Sequence, residues 1–264
     1  MSDLTNKVAL ITGASRAIGR SIAITLAEAG AQVVITGRDM EGLTETARLI
    51  ESSPNYAGVA PFISRLDQVD LSSIEETVQK TLTTFGQIDV LVNNSGITGK
   101  SAALWELSET DWDETMDTNL KGAFLVSKTV IPSMISRKSG SIVFLGSVTG
   151  KRPLVHRSVY AASKLGMLGM VRTLAGELGP HGVRANLISP GYVAGSRLDW
   201  VIEQVAAIEK LTPEQMRAKW LELVPLGKFV TPEDIAQGVL FLGSDRSAAI
   251  TGIDLNITGG LVMY

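Results

Sequence analysis

Short apolar runs alternate with longer amphipathic stretches along nearly the whole chain. The predicted strands are Val8–Thr12, Gln32–Thr36, Ala60–Arg65, Ile88–Asn93, Gly140–Leu145, Arg184–Ser189 and Ile253–Ile257. The predicted helices are Ala17–Ala29, Glu41–Ser52, Ser73–Phe85, Glu109–Arg137, Ser158–Gly179 and Pro232–Leu242. Several of the runs are apolar almost throughout, which is typical of parallel strands buried on both faces. The alternation therefore predicts an α/β fold: a doubly wound parallel sheet (Rossmann) of about seven strands, in a single domain over residues 1–264.

One region departs from this regular pattern. The segment Ala194–Val230 is a long insertion between the sixth strand and the last helix, and it contains two helical stretches. Insertions of this length in a compact domain are often lids or binding loops. We expect a helical substrate lid near residues 194–230.

Composition narrows the possible partners. The 264 residues are 45% hydrophobic and 19% charged, with a net charge of −3, which is ordinary for a folded enzyme-like domain. No run of Lys and Arg suggests nucleic acid, and no stretch reads as a signal core or a membrane span. The chain has no cysteine and two histidines without an acidic cluster, so no metal site is expected. These features predict a cytoplasmic protein with a small-molecule partner.

The turn "TGASRAIG" follows the first predicted strand and opens the first helix. Gly13 and Gly19 flank it. Backbone N–H groups at a helix start, together with the helix dipole, form an anion site that suits a pyrophosphate. The alternative is a tight turn with no ligand. Ala17 occupies the place of an expected third glycine, and because only a positive φ demands glycine, we predict a helical Ala17 with negative φ.

The end of the second strand bears on which dinucleotide the turn would hold. An acid at this position holds ribose hydroxyls, whereas a basic residue accommodates a 2′-phosphate. Here the acid position is Gly37, Arg38 follows it, and Arg16 lies in the glycine turn. Two guanidiniums on one phosphate favour NADP(H) over NAD(H). Two alternatives stay open: both arginines are solvated, or Asp39 serves NAD(H).

A second constellation lies downstream. Tyr160 and Lys164 are four residues apart, so they share one face of a predicted helix. A nearby ammonium lowers the pKa of a tyrosine toward the working range of an acid or base. Ser147 comes just past the end of a buried strand, where ligands bind in open α/β sheets. The alternative for a Tyr-x-x-x-Lys pair is an ordinary helix face.

Taken in order, these motifs resemble those of the short-chain dehydrogenase/reductase family, of the common type with ~250 residues. The resemblance runs from about Lys7 to Gly260. It comprises "TGASRAIG", "NNSG" at Asn93–Gly96, "DTNLKG" with Asn119, "GSVTG" with Ser147, "YAASK" with Tyr160 and Lys164, and "SPGYV" at Ser189–Val193.

The resemblance implies roles for these residues. Tyr160 would be the general acid/base and Ser147 would position the substrate oxygen. Lys164 would lower the pKa of Tyr160 and hold the nicotinamide ribose, and Asn119 would hold a water that links Lys164 to solvent. Asp70 and Leu71 would flank the adenine. The implied cofactor-binding set is Gly13, Ser15, Arg16, Ile18, Gly19, Arg38, Asp70, Leu71, Asn93, Tyr160, Lys164, Pro190, Gly191 and Val193.

Departures from the family pattern concern the substrate. Gly195, followed by Ser196, stands where many relatives have a Thr that contacts the nicotinamide carboxamide, and Thr258 stands where many have Asp. Arg197 in the predicted lid could pair with a substrate carboxylate or phosphate, or could be a surface residue.

The resemblance implies an NADP(H)-dependent oxidoreductase that interconverts a secondary alcohol and a ketone, with a small polyol, sugar or hydroxy compound favoured as substrate. The alternatives are a 3-oxoacyl thioester reductase and a non-catalytic NADP(H)-binding sensor. The long predicted helices and the apolar tail "GGLVMY" resemble those through which relatives form a homotetramer.

Overall fold

Seven parallel strands form one sheet in the computed structural model, which describes residues 3–56 and 58–264. Their order is β3-β2-β1-β4-β5-β6-β7, so the chain reverses its winding direction between β1 and β4. A crevice forms at such a switch point, outside the carboxyl ends of the strands. The predicted doubly wound sheet is therefore confirmed. The strands are β1 Val8–Thr12, β2 Gln32–Gly37, β3 Phe62–Arg65, β4 Val90–Asn93, β5 Gly140–Leu145, β6 Val183–Pro190 and β7 Asp254–Ile257.

The central strands β1, β4 and β5 are mostly apolar because both faces of the sheet are covered. Ile11 and Val92 belong to the core on one face, whereas their neighbours Leu10 and Leu91 belong to the core on the other. All four side chains are essentially inaccessible to solvent. Side chains alternate between the faces of a strand, so a sheet covered on both sides leaves no polar face. The helices that cover it are α1 Ala17–Glu28, α2 Met40–Glu51, α3 Leu71–Phe85, α4 Glu109–Met116, α5 Gly122–Arg137, α6 Ser158–Leu178 and α9 Pro232–Gly243.

The helix predicted over Glu109–Arg137 is not continuous. Helices α4 and α5 are separated by a π-helical turn at Asp117–Lys121. Asn119 lies in this turn, and its amide oxygen accepts a hydrogen bond from the Ile97 N–H at 2.8 Å while its amide nitrogen donates to the Ile97 carbonyl at 3.0 Å. A π-bulge adds a residue to a turn without changing the apolar periodicity on either side, so the sequence pattern did not reveal it.

The predicted lid is present as two helices, α7 Ser196–Glu209 and α8 Pro213–Leu221. They pack on each other through a small core of their own, which includes Ile202, Met216 and Trp220. The ring of Trp220 stacks on Tyr192, with 4.5 Å between centroids, and this ties the lid to the loop after β6. Among the described residues, no helix is both long enough and apolar enough to cross a bilayer.

Candidate active site

A cleft of about 770 Å³ opens at the carboxyl edge of the sheet and is covered at one end by the lid. Most of the residues that the sequence indicated line it. They are Gly13, Ser15, Arg16, Ile18, Gly19, Arg38, Ser147, Tyr160, Lys164, Pro190, Gly191 and Val193. The residues of the sequence motifs therefore line the crevice that the strand order creates.

The glycine turn forms one wall of this cleft. Gly13 has a φ of +68°, and a side-chain carbon added to Gly19 would lie 2.0 Å from the Gly13 carbonyl oxygen. Both positions therefore require glycine. Helix α1 begins with no side-chain cap and with no acidic residue in its first turn. Its first N–H groups are left free to bind an anion, which fits the pyrophosphate of a dinucleotide.

The prediction for Ala17 is wrong. Its φ is +47°, in the left-handed region, although it is the first residue of α1. The preceding residue, Arg16, is fully extended, and the chain turns from that conformation into the helix through Ala17. The methyl group is exposed, so the penalty of roughly 1–2 kcal/mol lies in the backbone conformation rather than in a clash. Glycine would be the favoured residue here.

The ends of β2 and β3 form the far end of the cleft. Gly37 is buried, whereas Arg16 and Arg38 are exposed at its rim. The Arg38 guanidinium is 3.8 Å from a carboxylate oxygen of Asp67, a solvated contact of little strength. Asp39 caps α2, because its carboxylate accepts a hydrogen bond from the Gly42 N–H at 2.9 Å. Both arginines are therefore available to a phosphate, while Asp39 is already engaged.

Asp70 and Leu71 do not line the cleft. The carboxylate of Asp70 accepts the Ser72 N–H at 3.0 Å and thereby caps α3, which begins at Leu71. Strand β3 ends at Arg65, as predicted, and the residues that line the cleft follow it directly. The wall at this point is formed by Asp67, Gln68 and Val69.

The adjacent asparagine, rather than the predicted Asn93, faces the cleft. Asn93 is buried in β4, where its amide donates to the Ser127 hydroxyl at 2.9 Å. Asn94 lines the cleft, and its amide donates to the carbonyls of Thr12 and Gly13 at 2.9 and 3.0 Å. Asn94 therefore fixes the glycine turn against the end of β4. In the sequence, only its place as the second Asn of "NNSG" pointed to Asn94 as a residue of the cleft.

Tyr160, Lys164 and Ser147 meet as predicted. Lys164 is buried on α6, and its ammonium donates to the carbonyl of Leu145 at the end of β5, at 2.8 Å. The same ammonium lies 5.8 Å from the centre of the Tyr160 ring. The hydroxyl of Ser147 makes a hydrogen bond with the phenol of Tyr160. The strand end thus holds both partners of the tyrosine in place.

The surroundings of Tyr160 favour its phenolate. Burial raises the pKa of the phenol, but the charges of Lys164, Arg197 and Arg157 and the hydrogen bond from Ser147 together hold that pKa below its usual value. Burial also lowers the pKa of Lys164, and Tyr160 opposes this effect. A tyrosine whose pKa approaches the working pH can both donate and accept a proton.

Arg157, immediately before α6, is a site residue that the sequence reasoning missed. It is only 4% exposed, and its guanidinium carbon lies 5.0 Å from the centre of the Tyr160 ring. It donates to the carbonyls of Thr98 at 2.5 Å and Gly99 at 3.4 Å. A cation at the N-terminus of a helix is unfavourable because it opposes the helix dipole. The position of Arg157 directly before α6 was therefore a sign in the sequence that this residue has another role. Arg197 reaches the same region from the lid, with a nitrogen 3.4 Å from the Gly96 carbonyl.

Asn119 lies behind the cleft rather than in its wall. Its side chain is fully buried and also donates to the Ser163 hydroxyl at 3.1 Å, next to Lys164. With both amide atoms engaged, this side chain is a support for the loop at Ile97. The water relay implied by the family stays a prediction, and it would have to use backbone groups of the π-helical turn.

The loop after β6 completes the cleft beside the lid. Gly191 donates to the Ile257 carbonyl at 2.9 Å, and a side-chain carbon added to Gly191 would lie 2.9 Å from the α-carbon of Thr258. Thr258, one of the departures from the family pattern, thus packs against this glycine. Val193 pairs with Val230, so the two ends of the lid are joined where they leave the domain. Gly195 and Ser196 both line the cleft.

Known proteins match this chain over almost its full length. A family model described as Enoyl-(Acyl carrier protein) reductase matches residues 13–262. The chain is 40% identical to a 3-oxoacyl-(acyl-carrier-protein) reductase FabG from Thermotoga maritima, over 98% of this chain and 99% of that protein. Two solved structures share its fold with a TM-score of 0.92. One is an actinorhodin polyketide ketoreductase variant with NADPH, 34% identical and covering 98% of each chain. The other is an NAD⁺-bound xylitol dehydrogenase, 28% identical and covering 97% of this chain and 99% of that one.

Proposed function

The chain belongs to the short-chain dehydrogenase/reductase family and is an oxidoreductase, and from that premise we propose that it interconverts a secondary alcohol and a ketone with NADP(H). The observation that carries the proposal is the position of Tyr160. Its phenol lies in the cleft that begins at the glycine turn, beside Ser147 and Lys164. The same three residues in place argue against a non-catalytic sensor.

The roles follow from the geometry. The nicotinamide supplies the hydride acceptor or donor. Tyr160 takes the proton of the alcohol or gives a proton to the ketone oxygen, and the hydrogen bond from Ser147 fixes the phenol where that oxygen would lie. Lys164, held on the Leu145 carbonyl, supplies the charge that favours the phenolate.

Arg16 and Arg38 support NADP(H) as the cofactor. Both line the end of the cleft opposite Tyr160, and no acidic side chain follows β2 before Asp39, which caps α2. A 2′-phosphate would meet two guanidiniums there, whereas ribose hydroxyls would meet Asp39, whose carboxylate already caps α2.

We expect Arg38→Leu to reduce kcat/KM for NADPH roughly 10- to 100-fold, because it removes a charged hydrogen-bond donor from the phosphate. The value for NADH should change far less. Arg65→Leu is the matched control, since Arg65 is an exposed arginine at the end of the adjacent strand and does not line the cleft. An equal loss with both cofactors, or no loss with either, would contradict the NADP(H) assignment.

A small polyol, sugar or hydroxy compound is the favoured substrate class, because α7 and α8 cover the end of the cleft that holds Tyr160. A 3-oxoacyl thioester is the second candidate, and the name of the 40% identical relative favours it. A panel of small ketones and an acetoacetyl thioester, each assayed with NADPH and NADH, separates the two. Turnover of the thioester alone would favour the second candidate, and no cofactor oxidation with any carbonyl would contradict both.

The homotetramer stays a prediction, and exposed apolar side chains support it. Phe124 on α5 and Leu165 on α6 are about half exposed, and the tail residues Met263 and Tyr264 are more exposed still. Such surface is usually covered by a partner. Light scattering at micromolar concentration should give the mass of a tetramer, and a monomeric mass would contradict the prediction. The cytoplasmic location also stays a prediction.

A further inference from the structure

Three cations surround the phenol of Tyr160. The ammonium of Lys164 lies 5.8 Å from the centre of its ring, the guanidinium of Arg157 lies 5.0 Å from that centre, and Arg197 reaches in from the lid. Arg197 is close enough to both Lys164 and Tyr160 for its charge to lower the pKa of each. The reaction itself needs only one cation beside the tyrosine. The two arginines are therefore additional to the catalytic group.

No carboxylate in the described part of the chain forms an ion pair with Arg157 or Arg197. Asp39 and Asp67 are the acidic residues among those that line the cleft. Both lie at the other end of it, beside the predicted phosphate site after β2 and β3. The remaining ion pairs in the described ranges involve neither Arg157 nor Arg197. A Tyr160 phenolate would offset one of the three cations, so the substrate end of the cleft carries an excess of positive charge.

Burial makes this arrangement costly for Arg157. A buried charge is normally paired, because removing it from water without a counter-charge is unfavourable. Burial lowers the pKa of Arg157, Tyr160 opposes this effect, and the charge of Arg197 lowers the pKa further. The guanidinium has five N–H donors, of which the carbonyls of Thr98 and Gly99 take two. Arg157 lines the wall of the cleft, and Arg197 stands exposed at the lid.

We propose that the substrate carries an anionic group, a carboxylate or an equivalent oxyanion, which Arg157 and Arg197 bind together. The inference rests on the proposed function and specifies its substrate class: a small hydroxy acid and the corresponding keto acid. Because Arg157 lies on the ring of the acid/base residue, the anionic group is separated from the reacting carbon by only a short stretch of carbons. Arg197 belongs to α7, so the bound anion also draws the lid onto the cleft.

A matched series of ketones tests this proposal. Acetoacetate, 2-oxopropane-1-sulfonate and 2-oxopropylphosphonate carry three different oxyanions on one skeleton, and methyl acetoacetate is the neutral partner of the first. The wild-type protein, assayed with NADPH, should reduce at least one of the anions with a kcat/KM more than roughly tenfold above that of methyl acetoacetate. The member with the highest value identifies the oxyanion.

Arg197→Gln should reduce that preference roughly 10- to 100-fold, because it removes a charge-assisted hydrogen bond. Arg157→Lys keeps the charge but loses the planar fork, and it should give an intermediate value. Arg217→Gln is the matched control. Arg217 lies on the lid helix α8, pairs with Asp199 and does not line the cleft, so the preference should stay at the wild-type value.

Inhibition by butanoate provides a second readout that does not depend on turnover of an anion. Butanoate should compete with methyl acetoacetate in the wild-type protein, and much more weakly in Arg197→Gln. Equal kcat/KM for neutral and anionic ketones, together with unchanged butanoate inhibition in Arg197→Gln, would overturn the anion site and leave the proposed function intact. No oxidation of NADPH with any ketone, neutral or charged, would overturn the proposed function and this inference with it.

Discussion

Tyr160→Phe is expected to reduce turnover roughly 10²- to 10⁴-fold, because general acid/base catalysis contributes about that factor. The substitution removes one hydroxyl and keeps the ring under Arg157 and beside Lys164. The predicted cofactor-binding residues of the glycine turn do not contact this hydroxyl. The dissociation constant for NADPH should therefore change much less than turnover. Steady-state kinetics together with a fluorescence titration of NADPH separate the two effects.

Tyr192→Phe is the matched control for this variant. Tyr192 also lines the cleft, but its ring stacks on Trp220 of the lid and its hydroxyl bonds to Arg152. Loss of that hydroxyl should cost far less turnover than loss of the Tyr160 hydroxyl. Near wild-type turnover in Tyr160→Phe would show that another group moves the proton.

Lys164→Met should reduce turnover at neutral pH roughly 10²-fold or more, and part of the loss should be recovered at high pH. The side chain keeps its length but loses the charge that lowers the pKa of Tyr160. Without that charge the pKa of Tyr160 moves up. Oxidation of an alcohol needs the phenolate, so its rate rises as pH passes through this pKa, and the midpoint of that rise should shift to higher pH.

The check is a pH profile of kcat/KM for alcohol oxidation in both proteins. Lys80→Met is the control, since Lys80 is an exposed lysine of α3, paired with Glu76 and remote from the cleft. Its midpoint should match that of the wild type. A Lys164→Met profile with reduced activity but an unchanged midpoint would contradict the electrostatic role, and would leave Lys164 as a residue that only binds.

The sheet and the catalytic pair could be predicted because their signals are local. A strand covered on both faces is apolar at nearly every position, as in β1 and β5, and this produces a short apolar run in the sequence. A spacing of four residues on a helix fixes Tyr160 and Lys164 on one side, whatever the helix packs against. The predicted strand bounds lie within two residues of those in the structure, and the two lid helices are present, because these signals are also local.

The failures occurred where the outcome depends on long-range geometry. Ala17 takes a positive φ at the first residue of α1, and its residue type gives no sign of this. Asp67 lines the cleft and Asp70 does not, because Asp70 serves as the cap of α3 and its carboxylate is turned to the Ser72 N–H. The sequence did not predict Arg157 as a site residue, because the residues that it contacts, Thr98 and Gly99, are distant in sequence.

The central claim is that the cations around Tyr160 lower the pKa of its phenol, and a spectroscopic titration of tyrosinate tests this claim most directly. The chain has four tyrosines. Burial raises the pKa of Tyr56 and of Tyr192, so neither should ionise early. The ultraviolet difference between the wild-type protein and Tyr160→Phe should show one tyrosinate that forms below the usual range of a tyrosine near pH ~10. Titration curves that differ only at or above that pH would contradict the account.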